Sequence, residues 1–159
     1  MNAPAPDTLG FCLLLSRACA RLELSMADKL GDFHGLDFAD FSLLHRLASA
    51  PDGRLAMVDL AQALGMTLSS LMRKLVQLEK VGLAQRDSGL SADGSRCASL
   101  RPAGKRLVQE AEVTVRAVCA QALGPVTLAH LPEMALALAA LCQDDVQKLT
   151  DRYIAEVDK

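Results

Sequence analysis

Apolar side chains recur every three or four residues along most of the chain, the spacing of one helix face. From Thr8 the stripe runs Phe11, Leu15, Ala18, Leu22, Met26, Leu30 and Phe33, which predicts one long helix, with Gly31 and Gly35 placed to break it. Residues 1–7 carry two prolines and no apolar period and read as a loose arm. Asp37 is a helix-capping residue type ahead of Phe38, Phe41, Leu44, Leu47 and Ala48, the inner face of a second helix. Pro51-Asp52-Gly53 reads as a turn. A short helix from about Ala56 to Leu64 closes at Gly65, and another from about Thr67 to Val81 stops at Gly82. The helical period then lapses. Leu83–Asp87 and Arg96–Arg101 are predicted strands around a tip rich in Gly, Ser and Asp. Pro102 suits the first turn of a helix that continues to about Leu123, and Gly124-Pro125 interrupts. A last helix, starting near Thr127 or at Pro132, carries Met134, Leu138, Leu141, Cys142, Val146, Leu149, Tyr153 and Val157.

Composition agrees with a mainly helical fold. Of 159 residues 51% are apolar but only 3% aromatic, so the core is built from Ala and Leu, which favour helices over a β-sandwich. No apolar run approaches the ~20 residues that span a bilayer, so no membrane association is expected. The first twenty residues have no basic residue ahead of their short apolar run, against a secretory signal. The five cysteines are odd in number and lack a C-x-x-C pair, and His34, His45 and His130 share no ligand spacing with them. A cytoplasmic protein without structural metal or cofactor is the expectation. Neither a G-x-S-x-G elbow, a phosphate loop, an H-E-x-x-H pair nor a dinucleotide fingerprint occurs, so no enzymatic activity is expected either.

The net charge of −2 hides an uneven distribution. Residues 1–45 carry three basic and six acidic groups, residues 46–106 ten and five, and residues 107–159 four and eight. A basic middle between acidic ends is the footprint of a polyanion-binding module.

Within that middle, LAQALGMTLSSLMRKLVQLEKVGL fits a helix-turn-helix: Ala61 lets two helices approach, and Gly65 takes the positive φ of a sharp turn. On a helical wheel Leu68, Leu71, Met72, Leu75 and Leu78 fall within ~120°. Ser69, Ser70, Arg73, Gln77 and Lys80 face the other way, with Glu79 on the flank. Small hydroxyls at the N-terminal end let a backbone approach a DNA groove, and Arg binds guanine bidentately. A merely solvated face is the alternative. Beyond the helix, a polar hairpin around DSGLSADGSR offers Arg96 to a flanking minor groove.

Together, the long first helix, LAQALGMT, LVQLEKVGL, the hairpin with Asp93-Gly94 and Arg96, and the Leu-Arg-Pro-Ala-Gly entry to the next helix resemble the MarR family of bacterial winged-helix transcription regulators. The resemblance implies a winged helix-turn-helix lobe over residues 37–101 with a small β-hairpin wing. Residues 1–36 and 102–159 would be the helices that interlock two copies. It implies a homodimer on a pseudo-palindromic double-stranded DNA operator, acting as a repressor. Thr67, Ser69, Ser70 and Arg73 fall where family members contact bases or nearby phosphates, and Arg96 falls in the wing. Lys74, Gln77 and Arg86 are further candidate DNA contacts. Three departures bear on operator sequence and wing reach. Leu68 stands where a basic residue is common, the wing reads Asp93-Gly94-Ser95-Arg96, and Leu100-Arg101 replaces the usual Leu-Thr.

Such regulators respond to small aromatic acids or to thiol oxidation. Phe33, His34, Phe38, Phe41 and His45 cluster where the family's effector pocket lies. The plainer reading makes the phenylalanines core and the histidines solvated. Cys12 lies near the start of the first helix, as does the reactive thiol of the family's organic-hydroperoxide branch. There tyrosines stabilise the thiolate, whereas the only tyrosine here is Tyr153. The apolar setting FCLLL predicts instead a buried, inert cysteine. Cys97, on the wing, is expected to be more exposed. A small-molecule-controlled repressor is thus the leading reading. A peroxide-responsive regulator and a winged-helix module that binds only protein partners are the alternatives.

Overall fold

A computed structural model describes residues 7–90 and 94–142. The expected arm at 1–6, the hairpin tip with Asp93 and the final stripe from Val146 to Val157 lie outside the described residues. The chain divides into two compact units, residues 1–119 and 120–159.

In the first unit, helix α1 spans Thr8–His34. Asp7, expected to belong to the loose arm, caps it by accepting a 3.0 Å hydrogen bond from the Gly10 N–H. Gly31 does not break α1. It is carried inside, and the helix stops at Gly35, whose φ of 64° brings the Gly35 and Leu36 N–H groups onto the Gly31 and Leu30 carbonyls. Helix α2 (Phe38–Ala48) opens on Asp37, which caps the Asp40 N–H at 2.6 Å. A 3₁₀ turn at Pro51–Gly53 leads into β1 (Arg54–Ala56), a strand too short to show alternation in the sequence. Helices α3 (Met57–Ala63) and α4 (Leu68–Lys80) follow, then β2 (Ala84–Leu90) and β3 (Arg96–Leu100). The antiparallel sheet has the order β1-β3-β2, with Leu55 opposite Ala98 and Gln85 opposite Ser99. Helix α5 begins at Pro102.

The core joins Leu30 of α1, Leu43, Leu44 and Leu47 of α2, Leu60 and Ala61 of α3, and Leu71, Leu75 and Leu78 of α4 with Val108 and Ala111 of α5. Gly104 lets α5 enter this packing, because a Cβ there would overlap the Leu83 carbonyl. α5 is traced to Ala129 with a break at Gly124 (φ 64°, ψ 171°), the interruption that Gly124-Pro125 predicts. In the second unit α6 spans Leu131–Leu141, with Pro132 in its first turn.

Candidate functional site

The α3–α4 junction is built locally. Gly65 takes φ 61°, and the Met66 N–H returns to the Ala61 carbonyl at 3.0 Å. Ala61 is buried in the core, as a close helix crossing requires. The turn delivers Thr67 as the cap of α4, its Oγ1 accepting from the Ser70 N–H at 3.2 Å. The same oxygen lies 3.1 Å from the Ser69 and Ser70 hydroxyls, and Arg73 Nη2 donates to Ser70 Oγ at 3.2 Å. Thr67, Ser69, Ser70 and Arg73 therefore form one linked cluster of hydroxyls and a guanidinium at the helix N-terminus. Thr67, Ser69, Arg73 and, a turn on, Gln77 are exposed. No acid occupies the first turn, so the positive end of the helix dipole is left uncompensated. The arrangement suits an anion or the edges of bases.

Leu68 departs from expectation. Placed with the inner stripe on the wheel, it is 45% exposed beside the cluster, whereas Leu71, Leu75 and Leu78 are buried. The core face of α4 is narrower than the wheel suggests.

Two expected contacts with nucleic acid are engaged within the protein. Lys74 Nζ lies 2.7 Å from Asp37 Oδ2 and 2.8 Å from Asp40 Oδ1. Partial burial works to raise the Asp37 pKa and to lower that of Lys74. The ion pairs outweigh it, holding the carboxyl below and the ammonium above their ordinary ranges. Arg86 pairs with Glu79 Oε2 at 2.6 Å and donates its backbone N–H to Oε1. Those hydrogen bonds hold the Glu79 carboxyl below its ordinary value. Each cation is already paired with carboxylate, so an outside anion would meet a group whose charge is largely offset.

The hairpin beside α4 is braced at its base. Asp87 binds Arg54 Nε at 2.6 Å and accepts from Ser99 Oγ at 2.9 Å, tying β2 to β1 and β3. Arg96 opens β3 and is exposed. Cys97, expected at the surface, is buried, on the face of β3 opposite to Ala98, which belongs to the core cluster.

Of the five residues considered for an effector pocket, three come together. Phe38, Phe41 and His45 line a cavity of about 390 Å³, joined by Ser42, Arg46, Leu64, Val115, Cys119 and the ion-paired Glu112 and Arg116. The Phe38–Phe41 and Phe41–His45 ring centroids are 6.4 and 5.5 Å apart. The other two lie elsewhere: Phe33 is 69% exposed, neither core nor pocket, and His34 shares a 2.9 Å hydrogen bond with Thr114. Spacing along α2 makes its own contribution readable. The α5 wall depends on helix docking, which no local pattern encodes.

The first helix is apolar on more than the side that meets the core. Leu9, Phe11, Leu13, Leu14 and Leu24 are all more than half exposed. Cys12, expected to be buried, is exposed among them, as is Cys19.

No family model matches the chain. Among solved structures it is similar to a MarR family protein of Mycobacterium tuberculosis in complex with p-aminosalicylic acid. The identity is 31%, over 86% of this chain and 98% of that one, with a TM-score of 0.62. It is also similar to a MarR family transcriptional regulator from Streptomyces coelicolor in complex with DNA, at 25% identity, with 92% and 98% of the chains covered and a TM-score of 0.70. CouR from Rhodococcus jostii RHA1, bound to p-coumaroyl-CoA, shares the fold at 22% identity over 88% and 96% of the chains, with a TM-score of 0.72.

Proposed function

The chain belongs to the MarR family of transcription regulators, and from that we propose that it binds double-stranded DNA as a homodimer and is a repressor released by a small aromatic acid. The observation that carries this is the cluster of exposed Thr67, Ser69 and Arg73 with half-buried Ser70 at the start of α4, with no acid in the helix's first turn. Each α4 enters a major groove. Its N–H groups face phosphate, Arg73 and Gln77 meet base edges, and the wing carries Arg96 to the adjacent minor groove. The solved complex of the Streptomyces regulator with DNA supports the partner class.

Residues 1–36 and 102–159 join two copies. The exposed leucines and Phe11 of α1 form an apolar face too large to leave in water, and a twofold mate would cover it. The effector occupies the 390 Å³ cavity. Phe38, Phe41, Leu64 and Val115 would hold a ring and Arg46 a carboxylate, Arg116 being paired with Glu112 on the same wall. The p-aminosalicylic acid complex of the Mycobacterium relative supports that ligand class.

The test is an electrophoretic mobility shift with the intergenic DNA flanking the gene, with and without p-aminosalicylate. Retardation that the acid reverses is expected. No retardation at micromolar protein would refute DNA binding, and retardation indifferent to a series of aromatic acids would refute the effector class. Light scattering should give twice the 16.9 kDa chain mass, and a stable monomer would refute the dimer.

A further inference from the structure

Lys74 adjoins Arg73 on the helix proposed to meet DNA, so counting charges would assign it to a phosphate. Its surroundings argue otherwise. The ammonium bonds two carboxylates, at 2.7 and 2.8 Å, that are 37 and 34 residues away in sequence. The Lys74 and Asp40 side chains are only 27% and 23% exposed. A phosphate on the remaining N–H would stand beside two carboxylates, and one that displaced them would leave Asp40 partly buried without its cation, a cost that an exposed ion contact does not recover.

The acids are themselves held in place. Asp37 uses Oδ1 to cap α2 through the Asp40 N–H and Oδ2 to hold Lys74, so the cap aims the brace. Asp40 sits in the first turn of the same helix. Beside the ion pairs lies an open cleft of about 530 Å³ lined by Asp37, Asp40, Met72, Arg73, Val76 and Gln77. On that side of α4, the Lys74 ion pairs join the helix to the start of α2 across the edge of the cleft. The same side carries Arg73 and Gln77, the groups proposed to read bases.

We propose that Lys74 is a positioning residue. Held by Asp37 and Asp40, it sets the pose in which α4 presents Arg73 and Gln77 to DNA, and it makes no phosphate contact itself. The inference rests on the DNA-binding reading above. It opposes the electrostatic alternative in a measurable way. If only charge mattered, neutralising Asp37 and Asp40 would tighten binding to a polyanion. If the brace matters, the same change weakens it.

The experiment uses the full-length protein and a DNA duplex selected by the wild type from a random-sequence pool. Affinity is measured across a salt series for Lys74→Gln, Lys74→Arg, Asp37→Asn with Asp40→Asn, and all three neutralising changes together. Lys74→Gln and the double acid variant should each weaken binding about tenfold at fixed salt. The slope of log affinity against log salt should stay at the wild-type value. The triple variant should be no weaker than either, since all break one brace. Lys74→Arg should restore most of the affinity. A slope reduced by about one unit per lobe in Lys74→Gln would make Lys74 a phosphate contact and overturn the proposal. Unchanged or tighter binding by the acid variant would overturn it too. Circular dichroism melts accompany each variant. Should Lys74→Gln fail to fold, Lys74→Arg and the acid variant decide alone. A wild type that selects no DNA removes the functional reading and this one together. A wild type that binds normally, with variants that do not differ from it, removes this one only.

Discussion

Replacing Thr67 by Asp should separate folding from DNA binding. Thr67 Oγ1 caps α4 through the Ser70 N–H, and an Asp carboxylate at that position can accept the same hydrogen bond. Thr67→Ala removes the cap and should cost ~1 kcal/mol of stability. Thr67→Asp keeps it and sets a negative charge against the uncompensated N-terminus of α4, adding ~0.3–1 kcal/mol. DNA binding should move the opposite way. If that N-terminus faces a phosphate, a carboxylate placed ~4 Å from it is repelled by ~1 kcal/mol in water and by ~4 kcal/mol at the effective dielectric of a protein surface. With two lobes the loss is at least ~2 kcal/mol, about thirtyfold in affinity. Urea denaturation reads the first quantity and fluorescence anisotropy with labelled duplex the second. Thr67→Asp should match or exceed wild-type stability while binding DNA worse than Thr67→Ala does. A Thr67→Asp protein as stable as wild type that binds DNA with wild-type affinity would show that the α4 N-terminus does not meet the backbone. A less stable Thr67→Asp protein would refute the capping account.

Three further outcomes are expected. Arg73→Ala should lose ~1–3 kcal/mol per half-site and relax base preference there, whereas Arg96→Ala should weaken all sequences alike and lower the salt slope by about one unit per lobe; competition titrations against mutated duplexes distinguish the two. Gly104→Ala should destabilise by ~1–3 kcal/mol through overlap with the Leu83 carbonyl, and a denaturation midpoint equal to wild type would show that α5 does not approach so closely. The depressed pKa of Asp37 stabilises the fold above its ordinary value of 3.8, and that contribution is lost as pH falls through the lower folded value. Asp37→Asn should therefore flatten the decline of stability below pH 3.8, while the raised pKa of Lys74 gives a contribution that fades only above 10.5; parallel acid limbs in the two proteins would contradict the ion pair.

Much of the candidate site is legible in sequence because it is local. The cap at Thr67, the positive φ at Gly65 and the hydroxyl-rich turn of Ser69 and Ser70 depend on residues within a few positions of one another. Period and capping chemistry therefore expose α1 through α4, and Pro102 and Gly124 mark where α5 begins and breaks. Identity of a side chain is not its partner, however. Arg86 and Lys74 look like free cations in the sequence, yet one closes on Glu79 across the start of β2 and the other on α2. Leu68 and Leu71 are alike as letters, but only the second lies under the neighbouring helices. Burial reverses for Cys12 and Cys97 for the same reason: a neighbourhood in the chain, apolar for the first and polar for the second, is not one in space. The strand at Arg54–Ala56 exists because β3 offers it a ladder, and the cavity lined by Phe38, Phe41 and His45 exists because α5 docks against α2. Short-range chemistry, repeated at the helical period, is what the sequence by itself determined. Which cations stay available, which apolar faces are covered and where a cavity opens were decided only when the helices packed, since those properties belong to pairs of residues that the chain keeps tens of positions apart.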